Sequence, residues 1–327
     1  LAEREEVIHE QAKADEDGEI MSTHFADRVT AASKAKKNSL CVGLDPRWDL
    51  LPKGIRAGLR AATLTDMANA FEEFCLRLID VVTPFVPVVK PQSAFFEACG
   101  PAGLVALQRV LRRARERGLI TILDSKRNDI ASTAEAYGDA AFAGTLVEGV
   151  RHPVWDADAL TINPYLGRDA VEPFLASARK KDCGVFVLVR TSNPGAGQFQ
   201  DLLCHGKPLY RHVAEAVGDW SRENLGRCGL GDVGAVVGAT HPAELATVRT
   251  LLPELIFLIP GYGAQGASAA DCAPGFRADG LGAIVNSSRG ITACFNADQA
   301  DWESAVETAV FNTIAALAKD TPMGELR

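Results

Sequence analysis

The sequence predicts a (β/α)8 TIM barrel, and two observations predict it. From residue 39 onward, short apolar runs alternate with longer stretches of helical spacing. Each run is nearly continuous in Val, Ile, Leu, Ala or Phe, as expected of a strand buried on both faces of a parallel sheet. An open doubly wound sheet is the competing architecture, but no GxGxxG follows the first run.

In chain order the runs are SLCVGLD (39–45), FVPVVK (85–90), LITILDS (119–125), ADALTIN (157–163), CGVFVLVR (183–190), DVGAVVG (232–238), ELIFLIP (254–260) and LGAIVNS (281–287). Helices are expected over 64–83, 101–117, 130–149, 168–180, 208–226, 241–251, 267–274 and 298–318. In the first of these, Met67, Ala70, Phe71, Phe74 and Leu78 share one face. In the second, Leu104, Leu107, Val110 and Leu111 do so, and Gly118 follows basic residues as a stop.

Residues 1–20 are polar and acidic, with too little apolar surface to offset their chain entropy. They read as a tail or an over-extended start site. Met21 then opens an amphipathic helix, and 21–327 reads as a single barrel domain.

The 327 residues are 47% apolar and 23% charged, ordinary values for a soluble enzyme. A net charge of -8 argues against general affinity for nucleic acid or membranes. The eight cysteines form no CxxC pair and read as buried reduced thiols. The six histidines show no HExxH spacing, so no metal site is expected. No apolar run reaches membrane-spanning length and no signal-peptide core is present. The expected location is cytoplasmic.

In this fold the chemistry sits where strands end. The first run ends in Asp45 and the second in Lys90. The third ends in Asp124, with Lys126, Asp129 and Thr133 beyond it. Thr191, Ser192 and Asn193 follow the fifth, PGYGAQG (260–266) follows the seventh, and Asn286, Ser287, Ser288 and Arg289 close the eighth. Any one of these is explained by a solvated turn. Together they alternate in sign, which charges at buried strand ends require in order to pair. Asp124 and Lys126 are two apart, so an extended strand points them the same way. The simpler role for Asp129 is a helix N-cap, with Asn128 as its rival. The glycines of PGYGAQG allow close backbone approach, and its N–H groups are expected to face an anion beside Arg289.

Asp124-x-Lys126-x-x-Asp129-Ile130-x-x-Thr133 resembles the D-x-K-x-x-D-I-x-x-T motif of the orotidine 5′-phosphate decarboxylase family. The resemblance runs from about residue 39 to 291, and Lys90 completes a Lys-Asp-Lys-Asp tetrad. VVKPQSAFFE (88–97), TINPYLGRD (161–169) and TSNPG (191–195) are similar to the longer bacterial branch of that family. The segment PRWDLLPKGIRAGLRA after Asp45 is longer than in compact members, and QFQDLLCHGKPLY (198–210) is a candidate cover for the site.

The resemblance implies a cofactor-free carboxy-lyase acting on orotidine 5′-phosphate in pyrimidine biosynthesis. It implies that Lys126, flanked by Asp124 and Asp129, stabilises and protonates the C6 carbanion. Lys90 holds Asp124 and contacts the ribose, Asp45 takes the ribose hydroxyls, and Ser192 reads the pyrimidine edge. Gln265 and Arg289 grip the phosphate. Asp129 and Thr133 reach into the neighbouring site of a homodimer. Two other readings are open: a metal-dependent sugar-phosphate decarboxylase or synthase of related fold, and a non-catalytic phosphate-binding barrel. The first uses an acidic residue where this chain has Lys90.

Overall fold

Eight parallel strands close into a barrel in the computed structural model, which describes residues 24–57 and 63–326. The predicted tail, residues 1–20, lies outside the described residues, as do residues 58–62 of the long segment after Asp45. The strands are β1 (Leu40–Leu44), β2 (Val88–Pro91), β3 (Ile120–Arg127), β4 (Ala159–Ile162), β5 (Gly184–Arg190), β6 (Val233–Val237), β7 (Phe257–Ile259) and β8 (Ala283–Ser287). Each falls on one of the eight apolar runs. Sequential strands pair in parallel, and β8 closes the ring on β1 with Cys41 opposite Asn286.

The long helices are α1 (Phe25–Lys36), α2 (Leu64–Val82), α3 (Gly100–Glu116), α4 (Ala131–Ala141), α5 (Arg168–Arg179), α6 (Leu209–Arg222), α7 (Pro242–Leu251) and α8 (Trp302–Asp320). All but α1 follow a strand. Thr63 and Asp66 form a reciprocal capping box at the start of α2.

The period-2 alternation of the strands sorts the apolar side chains into two layers. Leu40, Val42, Val89, Leu123, Leu160, Val185 and Val187 face outward into the shell beneath the helices. Cys41, Val88, Ile120, Ile122, Ala159, Phe186 and Ile284 fill the barrel interior. Helix α1 plugs that interior at one end: Phe25 is fully buried and meets the Phe186 ring edge-on at 6.0 Å. Gly184 makes room for it, since a Cβ there would lie 2.3 Å from the Phe25 ring. Burying one such ring contributes about 1.5–3 kcal/mol. With that end closed, the polar strand termini gather at the other mouth.

The helix expected over 130–149 stops at Ala141. A β-hairpin follows, pairing Thr145–Val147 with Val150–His152. Gly144 and Gly149 both adopt φ of +84°, and three of the strand residues are Thr or Val. Those glycines break the helix, and the β-branched residues favour the extended chain. Neither Asp129 nor Asn128 caps α4. Its N-cap is Ile130, whose N–H donates to Asp129 Oδ1 at 2.8 Å.

All eight cysteines are free. Five are buried, as expected, but Cys204 and Cys294 are exposed and Cys228 is half-buried. Among the described residues no helix is long and apolar enough to cross a membrane.

Candidate active site

Inner-face residues change from apolar to charged along the strands toward the open mouth. In β2 the inward series is Val88 then Lys90, and in β3 it is Ile120, Ile122 and Asp124. Lys90 Nζ donates to Asp124 Oδ2 at 2.6 Å, and Lys126 Nζ donates to Asp124 Oδ1 at 2.6 Å. One carboxylate is thus held between two ammonium groups.

The two lysines differ in what else they can reach. The Lys90 side chain is 7% exposed and the Lys126 side chain 47%. Lys90 is committed to the wall, and Lys126 faces open space. Burial alone would push the Asp124 carboxyl up. The charges of Lys90 and Lys126 outweigh it and hold the group well below the usual carboxylate range. Burial would likewise push Lys90 down, but Asp124 and then Asp45 hold it above the ordinary lysine range.

A cavity of about 540 Å³ opens above this cluster. Seven of the nine expected site residues line it: Asp45, Lys90, Asp124, Lys126, Ser192, Gln265 and Arg289. Asp129 and Thr133 do not. Asp129 is half-buried and Thr133 exposed, on the loop and first turn leading into α4.

Strand order puts β3 and β7 on opposite sides of the ring. The Lys126 wall therefore faces the loop after β7 across the cavity. In that loop Gly261, Gly263 and Gly266 have φ of +105°, +70° and +98°. The Arg289 guanidinium donates to Ala264 O at 3.4 Å, tying the end of β8 to this loop. The expectation that the loop's N–H groups face an anion is corrected in part. Gly263, Gly266 and Ala267 spend theirs on carbonyls within the loop.

Ser192 approaches the centre because Gly238 has no side chain. A Cβ on Gly238 would meet Ser192 Cβ at 2.8 Å. The segment 198–210 does contribute to the lining, through Gln200. Gln200 Oε1 accepts from the Thr191 N–H at 3.0 Å and from Arg190 at 3.3 Å. Within the segment, Leu203–Cys204 and Lys207–Pro208 form a hairpin turned by His205 and Gly206, both at positive φ.

Two acceptors at the cavity lack partners among the described residues. Asp45 Oδ1 and Asn286 Oδ1 are buried and accept no hydrogen bond. Such groups are costly unless a donor arrives. Gly43 makes room for the Ser288 hydroxyl beside Asn286: a Cβ there would overlap Ser288 Oγ and lie 3.3 Å from Asn286 Oδ1.

Sequence reasoning missed Thr161. Its hydroxyl donates to Asp124 Oδ1 at 2.9 Å and accepts from the N–H groups of Ser125 and Lys126, each at 3.0 Å. The signal was available, since Thr161 is two residues from the inward-facing Ala159.

A pair of lysines on one carboxylate, facing Arg289 and the loop after β7 across the cavity, matches the motif pattern read from the sequence. A model of the orotidine 5′-phosphate decarboxylase / HUMPS family matches residues 38–300. The chain belongs to this family. The orotidine 5′-phosphate decarboxylase of Rhodopirellula baltica is 47% identical over 292 residues, covering 87% of this chain and 96% of that protein. The protein of the same name from Caldicellulosiruptor bescii is 37% identical over 271 residues, covering 82% and 89%. Among solved structures, Leishmania donovani OMP decarboxylase matches at 37% identity with a TM-score of 0.67, covering 90% of this chain and 98% of that one. Leishmania donovani UMP synthase matches at 38% identity with a TM-score of 0.70, covering 91% of this chain and 57% of that longer one. Membership of this family agrees with the eight-stranded barrel and with the placement of Lys90, Asp124 and Lys126 at its mouth.

Proposed function

We propose that this chain decarboxylates orotidine 5′-phosphate to uridine 5′-phosphate, using side chains alone. The observation that carries the reading is the clamp of Lys90 and Lys126 on Asp124, with Lys126 much the more exposed of the two lysines that line the cavity. Relatives that cover most of the chain bear the name of this activity.

The C6–carboxylate bond breaks, CO2 leaves, and its electron pair stays on C6 in an orbital of the ring plane. The ring π system cannot absorb that charge, so a fixed positive group must meet it. Lys126 is placed for this and gives its proton to C6. Lys90 fixes Asp124 and lies beside the ribose. Asp124 opposes the departing carboxylate, a smaller contribution. The unpartnered Asp45 Oδ1 suits a ribose hydroxyl donor. Ser192 reads the base edge, and Gln265 and Arg289 hold the phosphate on the far wall, where binding energy helps fix the reactive geometry.

A metal-dependent sugar-phosphate reaction fits less well. Both Asp124 oxygens already accept from lysine ammonium groups, whose charges repel a cation. The deciding assay follows the ultraviolet absorbance of orotidine 5′-phosphate with purified protein in EDTA. The reading expects full conversion to uridine 5′-phosphate. Absence of conversion, or activity only after Mg2+ is restored, contradicts it.

Arg289→Ala removes the cation assigned to the phosphate. Charge-assisted bonds of this kind contribute roughly 1.5–3 kcal/mol, so kcat/KM should fall on the order of 10- to 100-fold. Steady-state kinetics with an unchanged kcat/KM would remove the phosphate assignment.

We also propose a homodimer, in which Asp129 and Thr133 complete the partner's site. Their position off the cavity of their own chain supports this. Lys126→Ala and Asp129→Asn should each be inactive alone. Mixed and allowed to exchange subunits, they should regain about one quarter of parental activity, because half the dimers carry one intact site. Continued inactivity of heterodimers verified by native mass spectrometry would place Asp129 in its own chain's site. The free cysteines are compatible with a reducing, cytoplasmic location.

A further inference from the structure

We propose that Thr161 is a positioning residue for Lys126, acting through the backbone of β3 and the Asp124 carboxylate; this deepens the functional reading above and rests on it. A hydroxyl has one proton to give and two lone pairs to fill. The Thr161 hydroxyl uses all three. The N–H groups of Ser125 and Lys126 both donate to it, so its own proton goes to Asp124 Oδ1. That is the same carboxylate oxygen that accepts from Lys126 Nζ. One group on the neighbouring strand therefore holds Lys126 at both ends of its side chain.

The backbone it holds is strained. Lys126 has φ of +47°, a left-handed conformation that lysine rarely adopts. The β3–β4 register shifts between Leu123 and Arg127 at the same place. Strain of this kind persists only where surrounding bonds impose it. Regular pairing does not supply the partner for these two N–H groups; Thr161 does.

This hydroxyl does more than hold the two strands together. A second clasp lies lower in the barrel, where Thr121 and Asp158 exchange three hydrogen bonds between the same strand pair. Thr121 is fully buried and touches none of the cavity. The pair Thr121 and Thr161 thus provides an internal comparison: one threonine that clasps strands, and one that clasps strands and aims a lysine.

The test uses Thr161→Val, which keeps the shape and removes all three bonds, alongside Thr161→Ser and the comparison variant Thr121→Val. With orotidine 5′-phosphate as substrate, Thr161→Val should lose about 10²-fold in kcat, the scale of a misplaced catalytic group. KM should change little, because the phosphate and ribose contacts stay intact. Thr161→Ser should recover most of the kcat. Thr121→Val should melt earlier yet turn over normally. If Thr161→Val does not fold, Thr161→Ala serves in its place. A folded Thr161→Val or Thr161→Ala with kcat near the parent overturns the proposal. So does a kcat loss that serine fails to restore. A parent protein without decarboxylase activity would instead remove the functional reading itself.

Discussion

Lys126→Ala should lose roughly 10⁴-fold or more in kcat while folding normally. The variant forfeits both the charge facing C6 and the proton that C6 receives, and the two effects multiply. The structure explains why folding should survive. The Lys126 side chain is half in solvent, and its departure leaves Asp124 bonded to Lys90 and Thr161. Melting curves should stay near the parent's, and product binding should persist, because the groups on the opposite wall are untouched. Stopped-flow absorbance on orotidine 5′-phosphate measures the loss, and circular dichroism checks the fold. A folded variant with near-normal turnover would remove Lys126 from the chemistry.

Asp124→Asn should damage both turnover and stability. Asp124 and Lys90 are each almost fully buried and bonded to one another. Neutralising Asp124 takes from the buried Lys90 ammonium its bonded counter-charge, a change that costs about 3–5 kcal/mol. The pH dependence follows from the directions of the two shifts. Asp124 is held below its unfolded value, so its contribution is present above an unfolded pKa of about 3.9 and fades as acid reaches the lower folded value. Lys90 is held above its unfolded value, so its contribution is present below about 10.4 and fades as base reaches the higher folded value. The parent should therefore gain most from the pair between about pH 4 and 10. The Asp124→Asn variant should show its largest deficit in melting temperature across that window and a smaller one at the acid edge. A variant as stable as the parent at neutral pH would mean that the pair contributes little.

The barrel was legible because strands buried on both faces must be continuously apolar, and each of the eight runs proved to be one strand. The charged strand ends were legible for a related reason. Lysine and aspartate at an inward position need partners, and Lys90, Asp124 and Lys126 partner one another. Helix α4 was misjudged because Gly144 and Gly149 were read through rather than as breaks. Thr161 escaped notice because a threonine inside a strand is unexceptional by composition; its role depends on a register shift in the neighbouring strand. The spent N–H groups of the loop after β7 could not be foreseen either, since glycine content shows what a loop can adopt and not which bonds it closes. Where Asp129 and Thr133 act was read from family resemblance, and one chain alone leaves them outside its own cavity.

The most direct test of the account is a crystal structure with uridine 5′-phosphate bound. The account predicts C6 of the base within about 3–3.5 Å of Lys126 Nζ, with the phosphate against Gln265 and Arg289 on the opposite wall. A nucleotide lying the other way round, or one whose base avoids the Lys126 wall, would contradict it.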